Sequence, residues 1–267
     1  MSDASYIITY RSEGESRRAN LEAILMWLRQ FPGLEILIVE QDRTPTLSST
    51  SWPDHCAYLF AFNPGPFNKA WGFNIGFRHS TGQVIAFGDA DVIVDAAALS
   101  ESVQLCRTTF EAVKPYDRLI DLTPEETQQV LAGQPQLHID RSGQPPDREG
   151  RREYICFCGG LFVLRRALFE LLGGFDEKFV GWGGEDDALT IKLRALSQNT
   201  HTLSGHTAYH LWHEQQPQRR AGQPFYERNA ARLRHYQQLD SATLRRLCAE
   251  QRRSMGDIHK YEFAAAR

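Results

Sequence analysis

Apolar and polar positions come in blocks along the first hundred residues, and each block has a readable period. Tyr6-Ile7-Ile8-Thr9-Tyr10 is a short apolar run of the kind carried by a strand buried on both faces. It gives way to polar Arg11-Ser12-Glu13-Gly14, where Ser12 and Glu15 have capping-box spacing. Leu21, Ile24, Leu25 and Leu28 then recur at helical spacing until Pro32-Gly33 stops them. A second strand is predicted over Leu34–Val39, running into Glu40-Gln41-Asp42, and a third over Ala57–Phe62. Over Phe67–Phe77, Ala70, Phe73 and Phe77 form one helical stripe, with Asn68, Lys69 and Asn74 off it. Val84–Gly88 is apolar enough for a central strand.

This order predicts an α/β fold with a mostly parallel sheet and helices on its faces. Ligands of such sheets sit at the carboxyl ends of the strands, where Thr9, Arg11, Glu40 and Asp42 fall. The second half is less regular. Residues 114–153 are rich in proline and charge, with a short helix readable at Pro124–Leu131 and otherwise a long polar loop of lid or binding character. Tyr154–Leu164 reads as a strand whose Gly159-Gly160 marks a bulge or a close backbone approach. Ala167–Leu172 reads as a short helix ended by Gly173-Gly174. Leu189, Leu193 and Leu196 share a helical face, Thr207–His213 ends a strand, and residues 219–267 are helical in tone.

With 267 residues, 42% hydrophobic and 24% charged, the chain fits one globular domain. We divide it at residues 1–100 and 101–218, with a basic helical tail at 219–267. A net charge of −3 gives no case for nucleic acid. The tail differs: it holds 11 Lys and Arg against 5 Asp and Glu. It is either a solvated helix face or a contact for an anionic lipid surface or acceptor. Five scattered cysteines suit a reducing compartment, and Cys156-x-Cys158 reads as strand filler. Neither a signal-like segment nor an apolar run of about 20 residues is seen, so a soluble, cytoplasmic protein is expected, with peripheral contact at the inner membrane face through the tail.

Three groups carry candidate chemistry. Asp89-Ala90-Asp91 follows the central strand directly, and carboxylates at a buried strand end are costly unless paired or bound to a cation such as Mg²⁺ or Mn²⁺. His210 and His213 are close enough in sequence to reach one metal. Gly181-Trp182-Gly183-Gly184-Glu185-Asp186-Asp187 sets three acids at a helix entry. An acidic first turn explains one of them; the indole beside carboxylates suits sugar recognition, with one acid as general base.

Together these segments resemble GT-A fold glycosyltransferases, above all the β-1,4-galactosyltransferases and related bacterial polysaccharide enzymes. Tyr10-Arg11 is similar to that family's Phe-Arg donor loop. Phe67-Asn-Lys-Ala-x-x-x-Asn-Ile-Gly-Phe77, Asp89-Ala-Asp91, Gly159-Gly160 and Trp182-Gly-Gly-Glu-Asp-Asp187 match its motifs in order. The resemblance implies a metal-dependent, inverting transfer from a UDP-sugar, UDP-galactose or UDP-GalNAc, to a glycan or lipid-linked saccharide. It implies Mn²⁺ (or Mg²⁺) at Asp91, His210 and His213, where the family has Met-x-x-His. It also implies Asp89, Arg11, Lys69, Asn68, Asn74, Gly160 and Trp182 toward the donor, Glu185 on acceptor hydroxyls and Asp186 as base. Ala188 stands where the family carries its third aspartate, and no counterpart of the family's disulfides or membrane anchor is expected. Two other readings stay open: a retaining enzyme like the polypeptide GalNAc-transferases, which also carry Trp-Gly-Gly-Glu, and a non-catalytic carbohydrate-binding module.

Overall fold

Strand β1 (Ala4–Tyr10) is buried along its whole length, and its two faces feed two different cores. Successive side chains of a strand point to opposite sides. Tyr6, Ile8 and Tyr10 therefore enter one apolar cluster and Ile7 the other. The computed structural model describes residues 3–47, 52–132, 156–214 and 223–262. In it β1 lies between β2 (Glu35–Asp42) and β4 (Val84–Gly88), parallel to both. β3 (Cys56–Phe62) extends the sheet in parallel beyond β2. β8 (Leu161–Arg165) pairs antiparallel with β4. With β6 (Ala112–Lys114) and β9 (Thr200–Thr202) the seven-stranded order is β3-β2-β1-β4-β8-β6-β9.

Helices α1 (Glu15–Leu28) and α3 (Ala96–Thr108) cover one face through Leu21, Ile24, Leu99 and Val103. Helices α2 (Lys69–His79), α5 (Arg166–Leu171) and α6 (Glu185–Leu196) cover the other through Phe73, Phe77, Phe169, Leu189 and Leu193. Phe87 of the central strand anchors that face, with Phe73, Phe162 and Phe169 at 5.3, 5.2 and 4.6 Å between ring centroids. Each such buried ring contributes about 1.5–3 kcal/mol over its exposed state. The α/β class predicted from periodicity is the class observed: a mostly parallel sheet with helices on both faces.

A second, three-stranded sheet runs in the order β5-β10-β7, built from β5 (Val92–Val94), β10 (Thr207–His210) and β7 (Arg118–Asp121). β10 is antiparallel to β5 and parallel to β7. Helix α4 (Pro124–Leu131) has the predicted bounds, fixed by a Thr123–Glu126 capping box. The helical tone of the tail resolves into α7 (Pro224–Gln238) and α8 (Ser241–Ser254). They dock on α6 through Phe179, Ala188, Tyr236, Leu244 and Cys248.

Two expectations are corrected. Ser12 does not cap α1. Gly14 occupies that position at φ 107°, with no side-chain cap, and the helix opens at Glu15. Of the strand read over Tyr154–Leu164, residues 154–155 lie outside the described residues, and from Cys156 onward the strand begins at Leu161. Cys156 to Gly160 form a turn first, closed by Gly159 N–H donating to the Cys156 carbonyl at 3.2 Å and by Gly160 at φ 66°. The loop read at 133–153, and tail residues 219–222 and 263–267, lie outside the described residues. Among the described residues no helix is long and apolar enough to cross a membrane, and the five cysteines are free.

Candidate active site

The carboxyl ends of β1, β2, β3 and β4 open on one edge of the sheet, and β8, running the other way, brings its leading turn to the same edge. Gly88 faces Leu161 in the register, so the chain leaving β4 at Asp89 meets Gly160, whose carbonyl accepts from Asp89 N–H at 2.8 Å. The second sheet then sets the histidines. His210 lies opposite Val92, and Leu211 N–H donates to the Asp91 carbonyl at 2.8 Å. One side chain each from Asp91, His210 and His213 therefore converges. Their ligand-type atoms all lie within 4.8 Å of one another, with the two Nε2 atoms 3.6 and 3.4 Å from Asp91 oxygens.

This donor set fits a divalent ion on its own chemistry. His210 Nδ1 is 2.8 Å from an Asp121 oxygen, which the β7–β10 register brings alongside. His213 Nδ1 is 2.9 Å from the Glu214 carbonyl, which can only accept. Both imidazoles thus carry their proton on Nδ1 toward an oxygen and turn Nε2 toward Asp91. Metal-binding histidines are oriented in this way. The electrostatics agree. Burial works against the Asp91 carboxylate, but His210, Arg17 and His213 outweigh it and hold its pKa far below the ordinary value. Burial likewise opposes His210, yet Asp91 and Asp121 raise it to about 9. His213 is lowered, chiefly by burial. An entering ion would take the place of the His210 proton.

A second corner is made of acids. Gly184, at φ 91° in the left-handed region, opens α6; a side chain there would meet the Phe179 ring at 2.7 Å. The first turn carries Glu185, Asp186 and Asp187, the last exposed. Lys69, from the first turn of α2, bridges Asp89 and Asp186 at 2.9 Å each. Among the described residues, Glu185 Oε2 and Asp186 Oδ1 are buried without a hydrogen-bond partner. Burial pushes the Asp186 carboxyl up to about 8; Lys69 opposes, while Glu185 and Asp89 add to the rise. Glu185 is raised as well, mainly by burial. Lys69 is held well above its usual value because Asp186 and Asp89 outweigh its own burial.

Trp182 is 46% exposed and lies parallel to Tyr226 of α7. Asn229 holds the loop from beneath through the carbonyls of Val180 and Trp182. Arg11 sits at the same edge but is clamped to the Asn63 and Gly65 carbonyls at 2.7 and 2.6 Å. Asp42 accepts from Arg43 N–H. Four other residues singled out from the sequence are bonded inside the protein. Thr9 accepts from Gln41. Glu40 accepts from Thr46 and Tyr58. Asn68 caps α2 through Trp71 N–H and donates to the Glu177 carbonyl. Asn74 exchanges bonds with Phe175 and donates to Glu177.

The site also holds residues that sequence reasoning missed. Arg17 donates to Asp91 at 2.8 Å. Asp121 orients His210. Lys114, its ammonium 4.1 Å from the Tyr116 ring centroid, donates together with the Tyr116 hydroxyl to the Gly159 carbonyl. A Cβ at Gly159 would sit 3.2 Å from Asp186, so that turn forms a wall of the acid corner. No local pattern marks these residues, because each contact spans tens of residues.

A mostly parallel α/β sheet with an Asp-x-Asp tripeptide leaving its central strand, faced by an acidic helix start, defines the GT-A class of glycosyltransferase. The sequence comparison agrees. Residues 7–173 match the family described as Glycosyl transferase family 2, and the chain belongs to that family. Residues 146–214 also match the family described as N-terminal domain of galactosyltransferase. No curated protein matches. Among solved structures, S. aureus TarS (1–349) superposes with a TM-score of 0.55 at 12% identity, covering 100% of this chain and 74% of that one; the likeness is one of fold. Two structures of Drosophila β1,4-galactosyltransferase 7 give TM-scores of 0.46 and 0.44 at 17% and 18% identity over 76% of this chain. One is a mutant complex with manganese, UDP-Gal and xylobiose, the other a catalytic-domain complex with xylobiose. The chain covers 65% of the length of either, just under two thirds.

Proposed function

We propose that the chain transfers galactose or N-acetylgalactosamine from a UDP-sugar to a hydroxyl of a glycan or lipid-linked saccharide, inverting the anomeric carbon. The observation that carries this is the pair of buried oxygens Glu185 Oε2 and Asp186 Oδ1, which have no hydrogen-bond partner among the described residues. A buried acceptor without a donor costs about 1–3 kcal/mol, and the hydroxyls of an acceptor sugar would relieve both. The galactosyltransferase match over 146–214 spans these acids and the histidine pair, which supports the donor assignment.

In this account Asp186 takes the proton of the acceptor hydroxyl while that oxygen bonds to the anomeric carbon and the bond to the diphosphate breaks. Its high proton affinity in the substrate-free protein suits a base. Glu185 accepts from neighbouring hydroxyls and orients the nucleophile. Trp182 stacks on a sugar ring, and Lys69 and Asp89 face the nucleotide side. Asp91, His210 and His213 would hold Mn²⁺ or Mg²⁺, which when bound neutralises negative charge on the departing diphosphate. The exposed Arg245, Arg246, Arg252 and Arg253 of α8 support peripheral contact with an anionic membrane surface on its cytoplasmic side, where a lipid-linked acceptor would be met.

The stereochemical outcome separates this from retaining transfer. One displacement assisted by one base gives a β-linked product from an α-linked donor, read from the anomeric coupling constant by proton NMR. An α-linked product would overturn inversion and favour the retaining alternative.

A further inference from the structure

Asp91 already has a cation of the protein's own. Arg17, in the first turn of α1, donates from Nη1 to Asp91 Oδ2 at 2.8 Å. The Arg17 side chain is 17% exposed and that of Asp91 5%, so solvent and salt screen the pair little. His213 Nε2 approaches the same oxygen at 3.4 Å, and His210 Nε2 approaches the other at 3.6 Å. The guanidinium and a metal ion held by this triad would therefore draw on one carboxylate.

The charges at this corner set the order of binding. Asp91 and Arg17 cancel, and Asp121 is engaged with His210. A divalent ion arriving alone adds net positive charge to a corner that is already balanced, and it must share Asp91 with the guanidinium. A nucleoside diphosphate arriving with the ion brings the negative charge that restores the balance. Without either, Arg17 spares a buried carboxylate the cost of standing unpaired.

We propose that Arg17 is a built-in counter-cation that makes metal binding conditional on the nucleoside diphosphate. The inference rests on Asp91, His210 and His213 being the metal site. Arg17 supplies no ligand atom, so its removal takes away the competitor and leaves the ligands. Its removal also leaves the buried Asp91 of the metal-free protein less fully compensated, facing only the two imidazoles, and a bound ion would then make up the difference.

Free Mn²⁺ can be followed by electron paramagnetic resonance in titrations of the unaltered protein, Arg17→Ala and Arg17→Lys, each with and without UDP. The unaltered protein should bind Mn²⁺ weakly alone and more tightly with UDP. Arg17→Ala should bind Mn²⁺ alone on the order of tenfold tighter, the worth of one charge-assisted hydrogen bond. The enhancement by UDP should shrink correspondingly, with Arg17→Lys in between. The melting temperature of metal-free Arg17→Ala should fall, and Mn²⁺ should raise it by more than in the unaltered protein. A merely structural role would lower the melting temperature without tightening Mn²⁺ binding. Should Arg17→Ala not fold, Arg17→Gln removes the charge, keeps a donor and carries the same expectation. Unchanged or weaker Mn²⁺ binding in the charge-removing variant overturns the inference alone. Failure of the unaltered protein to bind Mn²⁺, alone or with UDP, removes the metal site and the inference with it.

Discussion

Replacing Asp186 by Asn should make this protein more stable and, at the same time, nearly inactive. The carboxyl is pushed from the ordinary 3.8 to about 8, first by burial and then by Glu185 and Asp89 against the pull of Lys69. Between those two values the folded chain keeps a proton that the unfolded chain releases. Stability tied to this group is therefore fully present below about pH 4 and is lost as pH rises through 8. The complete linkage would be about 5–6 kcal/mol. The Asp186 side chain is 21% exposed and Lys69 can follow it, so a realised value of about 2–3 kcal/mol is expected. Asn keeps the shape and an acceptor oxygen for Lys69, which still pairs with Asp89. Urea unfolding at pH 4, 7 and 9 should give equal stabilities at pH 4 and an Asn variant about 2–3 kcal/mol more stable at pH 9. Loss of the base should lower transfer about 10²–10⁴-fold. A variant that transfers sugar at the unaltered rate, or whose stability difference does not change with pH, would refute the reasoning.

Two further substitutions probe the supports of the site. Gly160 sits at φ 66°, and a Cβ there would lie 2.5 Å from the Tyr116 hydroxyl, so Gly160→Ala should cost about 2–3 kcal/mol from backbone and overlap together. A double-mutant cycle with Tyr116→Phe should recover the overlap part; an identical cost in both backgrounds would contradict the contact. Asp176 is buried and accepts from Arg232, Tyr236 and Lys178 N–H at 2.6, 2.7 and 3.0 Å. Burial opposes its ionisation, but these partners lower its pKa, so its stabilisation is present above pH 3.8 and is lost as pH falls through the lowered value. Asp176→Ala should cost about 3–5 kcal/mol and release α7, read as faster amide exchange over Pro224–Gln238; unchanged exchange there would show that the helix is held otherwise.

Much of this was legible in the chain, and the parts that were not have physical reasons. The main strands and α2 were readable because their apolar periods last five residues or more. Helix α4 was readable in an otherwise obscure stretch from Pro124, and its capping box emerges with the structure. β5, β6, β7 and β9 are three or four residues long, too short for a period, and two of them build the sheet that places His210. Ser12 had the spacing of a cap, but the glycine at φ 107° beside the helix start took the turn. The Asp91, His210 and His213 convergence was accessible as a family resemblance, whereas their supports Asp121 and Arg17 appear only once distant strands and α1 are packed. Glu40, Asn68 and Asn74 show the reverse: polar residues in motif positions whose bonds hold loops and helix ends together.

The central claim is transfer from a UDP-sugar assisted by a divalent ion at the edge between Asp91 and Asp186. Its most direct test is UDP release across a panel of sugar nucleotides and saccharide acceptors, with Mn²⁺ and with EDTA. UDP should be released from UDP-galactose or UDP-GalNAc, faster with an acceptor present. EDTA should abolish release, Mn²⁺ should restore it, and Asp186→Asn should remove the acceptor-dependent part. Full release in EDTA would contradict the metal role of Asp91, His210 and His213, and release confined to donors of another nucleotide would contradict the UDP-sugar assignment.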